Sequence, residues 1–205
     1  MRIILAAREA SLAEAWERLC GDLADVSVYR GSIFDLSCDA AVSPMDNSFG
    51  FMTSGISFQY TARFGWKVQE RLQGLVRSRH HGELVVGTAD ILPTDDTRIP
   101  FLIAAPVTRV PMLLRGSVSA YLATRAALLL VRYGSFEGPP LEGQPVASLV
   151  SSIAIPGLGT GGAQLHPLAC ARQVRTALVD VLFAEEGSPL SLQDAEAQHT
   201  KLGDV

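Results

Sequence analysis

The sequence predicts an α/β fold: a three-layer α/β/α sandwich with a mixed, mainly parallel sheet. Three observations carry this. Apolar runs of strand length alternate with stretches of helical periodicity along most of the chain. The runs are uniformly apolar rather than alternating, as in strands covered on both faces. At 205 residues and 48% hydrophobic, the chain is long and apolar enough for one sizeable core.

Ile3–Ala7 reads as a buried strand. Ser11 to Glu14 has the spacing of a capping box, and Leu12, Ala15, Trp16, Leu19 and Cys20 form one helical stripe ended by Gly21. Val26–Tyr29 and Asp39–Ser43 read as strands. A Gly-, Ser- and Phe-rich loop follows from Pro44 to Gly55. Ile56, Tyr60, Phe64, Val68 and Leu72 recur every fourth residue, so a helix is expected to about Arg79, with a break near Gly65. Glu83–Leu92 and Ile99–Pro106 read as strands of a hairpin turning at Pro93–Asp96. Ser117–Tyr133 is an apolar helix, Gly134–Pro145 a loop, and Val146–Ile155 a strand. Pro156–Gly162 is a second glycine loop, and Pro167 opens another helix. The polar end is assigned as a tail or short helix, dividing the chain into a domain of residues 1–184 and a tail of 185–205.

Lys and Arg number 17 against 21 Asp and Glu, a net charge of −4. This excludes a strongly basic nucleic-acid binder. Three scattered cysteines show no disulfide or metal pattern and suit a reducing, cytoplasmic setting. The apolar start is too short for a signal sequence, and the longest uncharged stretch is broken by prolines, so no membrane segment is expected. No metal or cofactor is expected either. His80-His81 reads as a solvated turn.

Both glycine loops follow strands, where ligands of open α/β sheets bind. The second, Ile155-Pro156-Gly157-Leu158-Gly159-Thr160-Gly161-Gly162, is hard to explain by packing and suits a backbone cradle for a diphosphate. It lacks the Lys-Ser/Thr of a Walker loop. In the first, the Asn47 amide suits a sugar diol, or else caps its own turn. His166 either reaches a phosphate or faces solvent at a helix start, and Arg109 is the best of the arginines for a phosphate or partner.

The stretch Asp39-Ala40-Ala41-Val42-Ser43-Pro44-Met45-Asp46-Asn47-Ser48-Phe49-Gly50 resembles the macrodomain motif in which a strand runs into an asparagine and a glycine-rich turn. Arg30–Ile33 and Ile155–Gly162 resemble the segments that hold adenine and the phosphates, and the element order matches over roughly residues 1–184. Ala105–Pro111 is similar to a segment of a bacterial and phage-type branch. The resemblance implies binding of ADP-ribose or an ADP-ribosylated protein. It places Ser32 and Ile33 at the adenine, and Asn47 and Phe51 at the distal ribose, with Asn47 as the catalytic candidate. Gly55 and Ile56 fall beside the diphosphate, and Gly159, Thr160, Gly161, Gly162 and Ala163 around it.

The departures leave two other functions open. The family's adenine-reading aspartate is Ser32 here, with Asp35 nearby as a substitute. Thr53, Ser54 and Ser57 surround a lone Gly55, with no carboxylate at Ser57, and Asp46 is expected to point away. The chain is therefore a binder of ADP-ribose, an ADP-ribosyl hydrolase or O-acetyl-ADP-ribose deacetylase, or a module of this fold that has lost its ligand.

Overall fold

The computed structural model describes residues 1–183 and 189–203; the expected domain boundary at 184/185 lies outside the described residues. Six strands form one sheet in the order β2-β1-β6-β3-β5-β4. They are β1 (Arg2–Ala7), β2 (Val26–Arg30), β3 (Ala40–Ser43), β4 (Asp90–Pro93), β5 (Phe101–Ala104) and β6 (Ser152–Pro156). All neighbours are parallel except the edge pair β4 and β5, which is antiparallel as the hairpin reading requires.

Successive strand residues feed opposite cores, because side chains alternate across a sheet. Ile3, Leu5, Val42, Ile153 and Ile155 face one core, which is closed by α1 (Ala10–Cys20), α4 (Ser119–Tyr133) and α5 (Pro167–Leu178). Ile4, Ala6, Ala41, Leu102 and Ala154 face the other, which is closed by α2 (Gly55–Phe64) and α3 (Trp66–Arg79). Gly65, at φ 84°, separates α2 from α3 where the break is expected.

Several elements differ from the sequence reading. Ser11 lies inside α1, whose N-cap is Glu9. The capping box is instead at a short 3-10 turn, Ile33–Asp35: Phe34 N–H donates to Ser32 Oγ, and Ser32 N–H donates to the Asp35 carboxylate. Glu83–Ala89 is not strand, because the chain turns at Gly87, φ 93°, and only Asp90–Pro93 pairs with β5. Val146–Ser148 is a 3-10 turn opened by Pro145, whose carbonyl accepts from the Ser148 N–H and hydroxyl. His81 is an exposed turn residue, as read, but the His80 side chain is partly buried: its Nε2 lies 3.0 Å from Asp90, which also pairs with Arg79. The tail contains α6 (Leu192–Gly203), docked through buried Leu202, whose carbonyl accepts from Gln173 on α5.

β3 is fastened to β6 at its start. One carboxylate oxygen of Asp39 accepts from the N–H and hydroxyl of both Ser151 and Ser152, at 2.8–2.9 Å. This fixes the register of the two strands that carry the glycine loops.

Cys20, Cys38 and Cys170 are all buried and free. Burial pushes their thiols up to about 12, 11 and 12. Since the thiolate is the reactive form, a disulfide reagent at pH 8 will label none of them in the native protein and all three in urea. Prompt labelling of the native protein would show that these core sites open readily. Among the described residues no helix is long and apolar enough to cross a membrane, and no cluster of three or more His, Cys, Asp or Glu is placed to hold a metal.

Candidate functional site

Five parallel strands, β2, β1, β6, β3 and β5, end at the same edge of the sheet. The segments leaving them line one trough of about 800 Å³. Four interstrand steps of about 4.8 Å make such a trough roughly 19 Å long. The order of the strands sets the order of its walls. Gly31–Phe34 and Arg8 leave β2 and β1 at one end, the loop after β6 lies in the middle, and Asp46 follows β3. The Pro111–Leu113 segment turns back onto the β6 loop, where Leu114 N–H donates to the Ala163 carbonyl.

The trough gathers Ser32, Ile33, Gly55, Ile56, Gly159, Thr160, Gly161, Gly162 and Ala163. Asn47 and Phe51 are not among its lining residues. Asn47 is buried, and both ends of its amide are engaged. Oδ1 accepts from the N–H groups of Phe49 and Phe51, while Nδ2 donates to the Phe51 carbonyl and to Asp46. Asn47 therefore folds the loop through its own backbone, the alternative the sequence left open. Phe51 is half exposed and tied to Asn47 through its backbone.

This loop is held from beneath by a continuation of the β3/β5 pairing. Ala105 N–H donates to Ser43, Val107 N–H to Met45, and Ser48 N–H to Arg109. Arg109 lies away from the trough walls: it pairs with Glu83 at 2.6 Å and lies over the Phe49 ring, so its charge serves to fasten the loop. Asp46, expected to point away, lines the trough and accepts from the Ser54 hydroxyl. Ser54 is the N-cap of α2, but its side chain makes no cap bond. The first turn of α2, Gly55–Ser57, thus brings uncapped N–H groups to the trough wall, a favourable place for an anion.

In the second loop the four glycines have different causes. A Cβ on Gly157 would collide with Thr160 Oγ1 and meet Leu12 at 2.8 Å. Gly159 has φ 75°, and its Cβ would meet Leu114 at 2.5 Å. These two are explained by packing, contrary to the sequence reading. Gly161 and Gly162 are outside the left-handed region, and a Cβ on either would meet nothing within 4 Å. Nothing in the fold requires glycine there, and both line the trough. His166 is not a lining residue; its Nδ1 accepts from Leu168 N–H and caps α5. Asp35 is likewise no wall of the trough and is held by the Ser32 N–H.

No protein-family model matches the chain, and no curated protein matches its sequence. Solved structures do. The macrodomain of Mycobacterium tuberculosis DarG superposes with a TM-score of 0.55 at 18% identity, covering 72% of this chain and 86% of that one. The chain has the macrodomain fold. A glycine-to-valine mutant of the Oceanobacillus iheyensis macrodomain with ADPR gives 0.57 at 17% identity, covering 84% and 88%. The Thermus aquaticus DarG macrodomain gives 0.54 at 17% identity, covering 76% and 89%.

On this macrodomain scaffold, sequence reasoning missed Arg8, Glu9 and Phe34 at one end of the trough and Pro111–Leu113 along its wall. Arg8 had a usable signal, since it follows the first buried strand directly. Of the Pro111–Leu113 segment, only Pro111 fell within a resemblance, and that carried no role.

Proposed function

We propose that the trough binds ADP-ribose or a related ADP-ribose derivative, free or attached to a protein. The observation that carries this reading is Gly161 and Gly162: two glycines that neither backbone conformation nor packing demands, lining a cavity between a buried strand and a helix. A ligand approaching their backbone closely supplies the missing reason. Gly159–Ala163 then take the diphosphate, with Gly55 and Ile56 of the α2 N-terminus opposite. Ser32 and Ile33 take the base, and the distal ribose lies toward Asp46 and Ser54. Asn47 and Phe51 act on that ribose through the loop that Asn47 ties. The solved macrodomains with ADPR and with ADP bound support the same ligand class.

The test is isothermal titration with ADP-ribose, ADP and AMP. Micromolar ADP-ribose binding, worth about 8 kcal/mol, is expected, weakening from ADP-ribose to ADP to AMP as the ligand vacates one end of the trough. No heat with any of the three removes the reading in favour of an interaction module.

Asp46 favours a second reading, ADP-ribosyl hydrolysis, because it supplies a carboxylate in the trough. Water would replace the protein side chain at the anomeric carbon, Asp46 accepting the water proton and the departing side chain taking one up. Release of ADP-ribose from a modified protein, lost in Asp46→Ala, is the expected result. No release by the wild type leaves binding as the function.

A further inference from the structure

The hydrogen bonds at the β2/β1 end of the trough run in an unusual direction for a site that would read adenine. Ser32 Oγ accepts from Arg8 Nη2 at 2.8 Å and from Phe34 N–H at 3.3 Å. A hydroxyl has two lone pairs and one hydrogen, so both acceptor positions are filled and only the O–H is left to give. Arg8 has donors alone, and among the described residues no carboxylate lies within ion-pair distance of it. Asp35, the nearby acceptor, receives the Ser32 N–H on one carboxylate oxygen and is not part of the trough wall. The flat apolar surface here is Ile33 and Phe34, with Phe34 fixed by edge contacts to Tyr60 at 5.0 Å and Phe64 at 6.4 Å. A heteroaromatic ring fits such a wall.

We infer that Arg8 and Ser32 make this end a reader of a 6-oxo purine rather than of the adenine 6-amino group. This rests on the trough being a nucleotide site. Adenine presents a donor, its N6 amino group, beside the N7 acceptor, whereas a 6-oxo purine presents two acceptors, O6 and N7, which suit an arginine fork. An adenine amino group would meet the Ser32 O–H and the Arg8 N–H groups, donor against donor, and lose its hydration without return. Glu9 lines the same end and is exposed. Its carboxylate can accept from a 6-amino group or from the N1–H of a 6-oxo purine, so it does not choose between them. The ligand class therefore extends to purine nucleoside diphosphates, and their ribose conjugates, that carry a ring carbonyl at position 6.

The experiment titrates the full chain with ADP and IDP, which share ribose and diphosphate and differ at the purine 6 position. IDP is expected to bind about tenfold more tightly than ADP, the scale of one hydrogen bond gained and one unpaired group avoided. Arg8→Ala should remove that advantage, and Ser32→Asp, which restores an acceptor at the same N-cap, should turn the preference toward ADP. A wild-type preference for ADP overturns the inference and leaves the nucleotide reading intact, and its loss in Glu9→Ala would assign the readout to Glu9. Equal affinities that Arg8→Ala does not disturb also overturn it. Absence of binding by ADP, IDP and ADP-ribose alike overturns the nucleotide reading and the inference with it.

Discussion

Gly161→Glu is expected to weaken ADP-ribose binding at least about 100-fold, close to 3 kcal/mol, while the melting temperature stays where it is. The two halves of this result have separate physical causes. A Cβ at Gly161 meets nothing within 4 Å, and the backbone is outside the left-handed region, so the fold accepts a side chain. The same open space belongs to the trough wall. A glutamate there fills the place of the diphosphate and sets a negative charge against it. Gly161→Ala separates bulk from charge: it should stabilise the protein slightly, by about 0.5 kcal/mol through the unfolded chain, and still weaken binding. Gly159→Ala is the contrast, because its Cβ would meet Leu114 at 2.5 Å from a backbone at φ 75°. That variant should lose roughly 1–3 kcal/mol of stability. Calorimetry and thermal melting of the three variants decide the matter. Unchanged affinity in Gly161→Glu would take the second loop out of the ligand site.

The contrast within one loop also shows where sequence reasoning works and where it stops. Strands within the apolar runs Ile3–Ala7, Asp39–Ser43 and Val146–Ile155 are legible because a strand buried on both faces is apolar throughout. The break at Gly65 was legible because an uninterrupted fourfold stripe needs one to turn back over the sheet. Strand ends were not. Glu83–Ala89 and Val146–Ser148 are as apolar as many strands, and what removes them from the sheet is tertiary: Gly87 turns the chain, and Asp39 catches Ser151 and Ser152 to begin β6 there. The site divides the same way. Nine of the residues that the resemblance names line one trough. The Asn47 amide closes a local turn with Phe49 and Phe51, which a sequence pattern can suggest. Other side chains depend on partners far away in the chain: Arg109 meets Glu83, and Ser32 receives Arg8 across 24 residues. No local pattern at Ser32 announces that its lone pairs are filled.

Asp39→Ala is expected to cost about 2–3 kcal/mol, which lowers the melting temperature by roughly 4–10 °C in a chain of this size. The carboxylate lies at the junction of β3 and β6 and accepts four hydrogen bonds, two of them from backbone N–H groups that begin a strand. Alanine leaves those two donors without an acceptor at the place where the two site-bearing strands are registered. The Asp39→Asn variant keeps one acceptor oxygen, so it should recover part of the loss. The pH dependence follows from the direction of the shift. Burial raises the Asp39 pKa, but the bonds from Ser151 and Ser152 outweigh it, and the net value is below the ordinary 3.8. A carboxyl lowered in the folded state contributes stability that is present above its unfolded pKa and is lost as pH falls through the folded one. Asp39 therefore adds to acid sensitivity below about pH 4, and the gap between wild type and Asp39→Ala should narrow there. A gap that stays constant from pH 7 to pH 3 would mean that the protonated Asp39 serves these donors as well as the carboxylate, and that its charge is not what joins the strands.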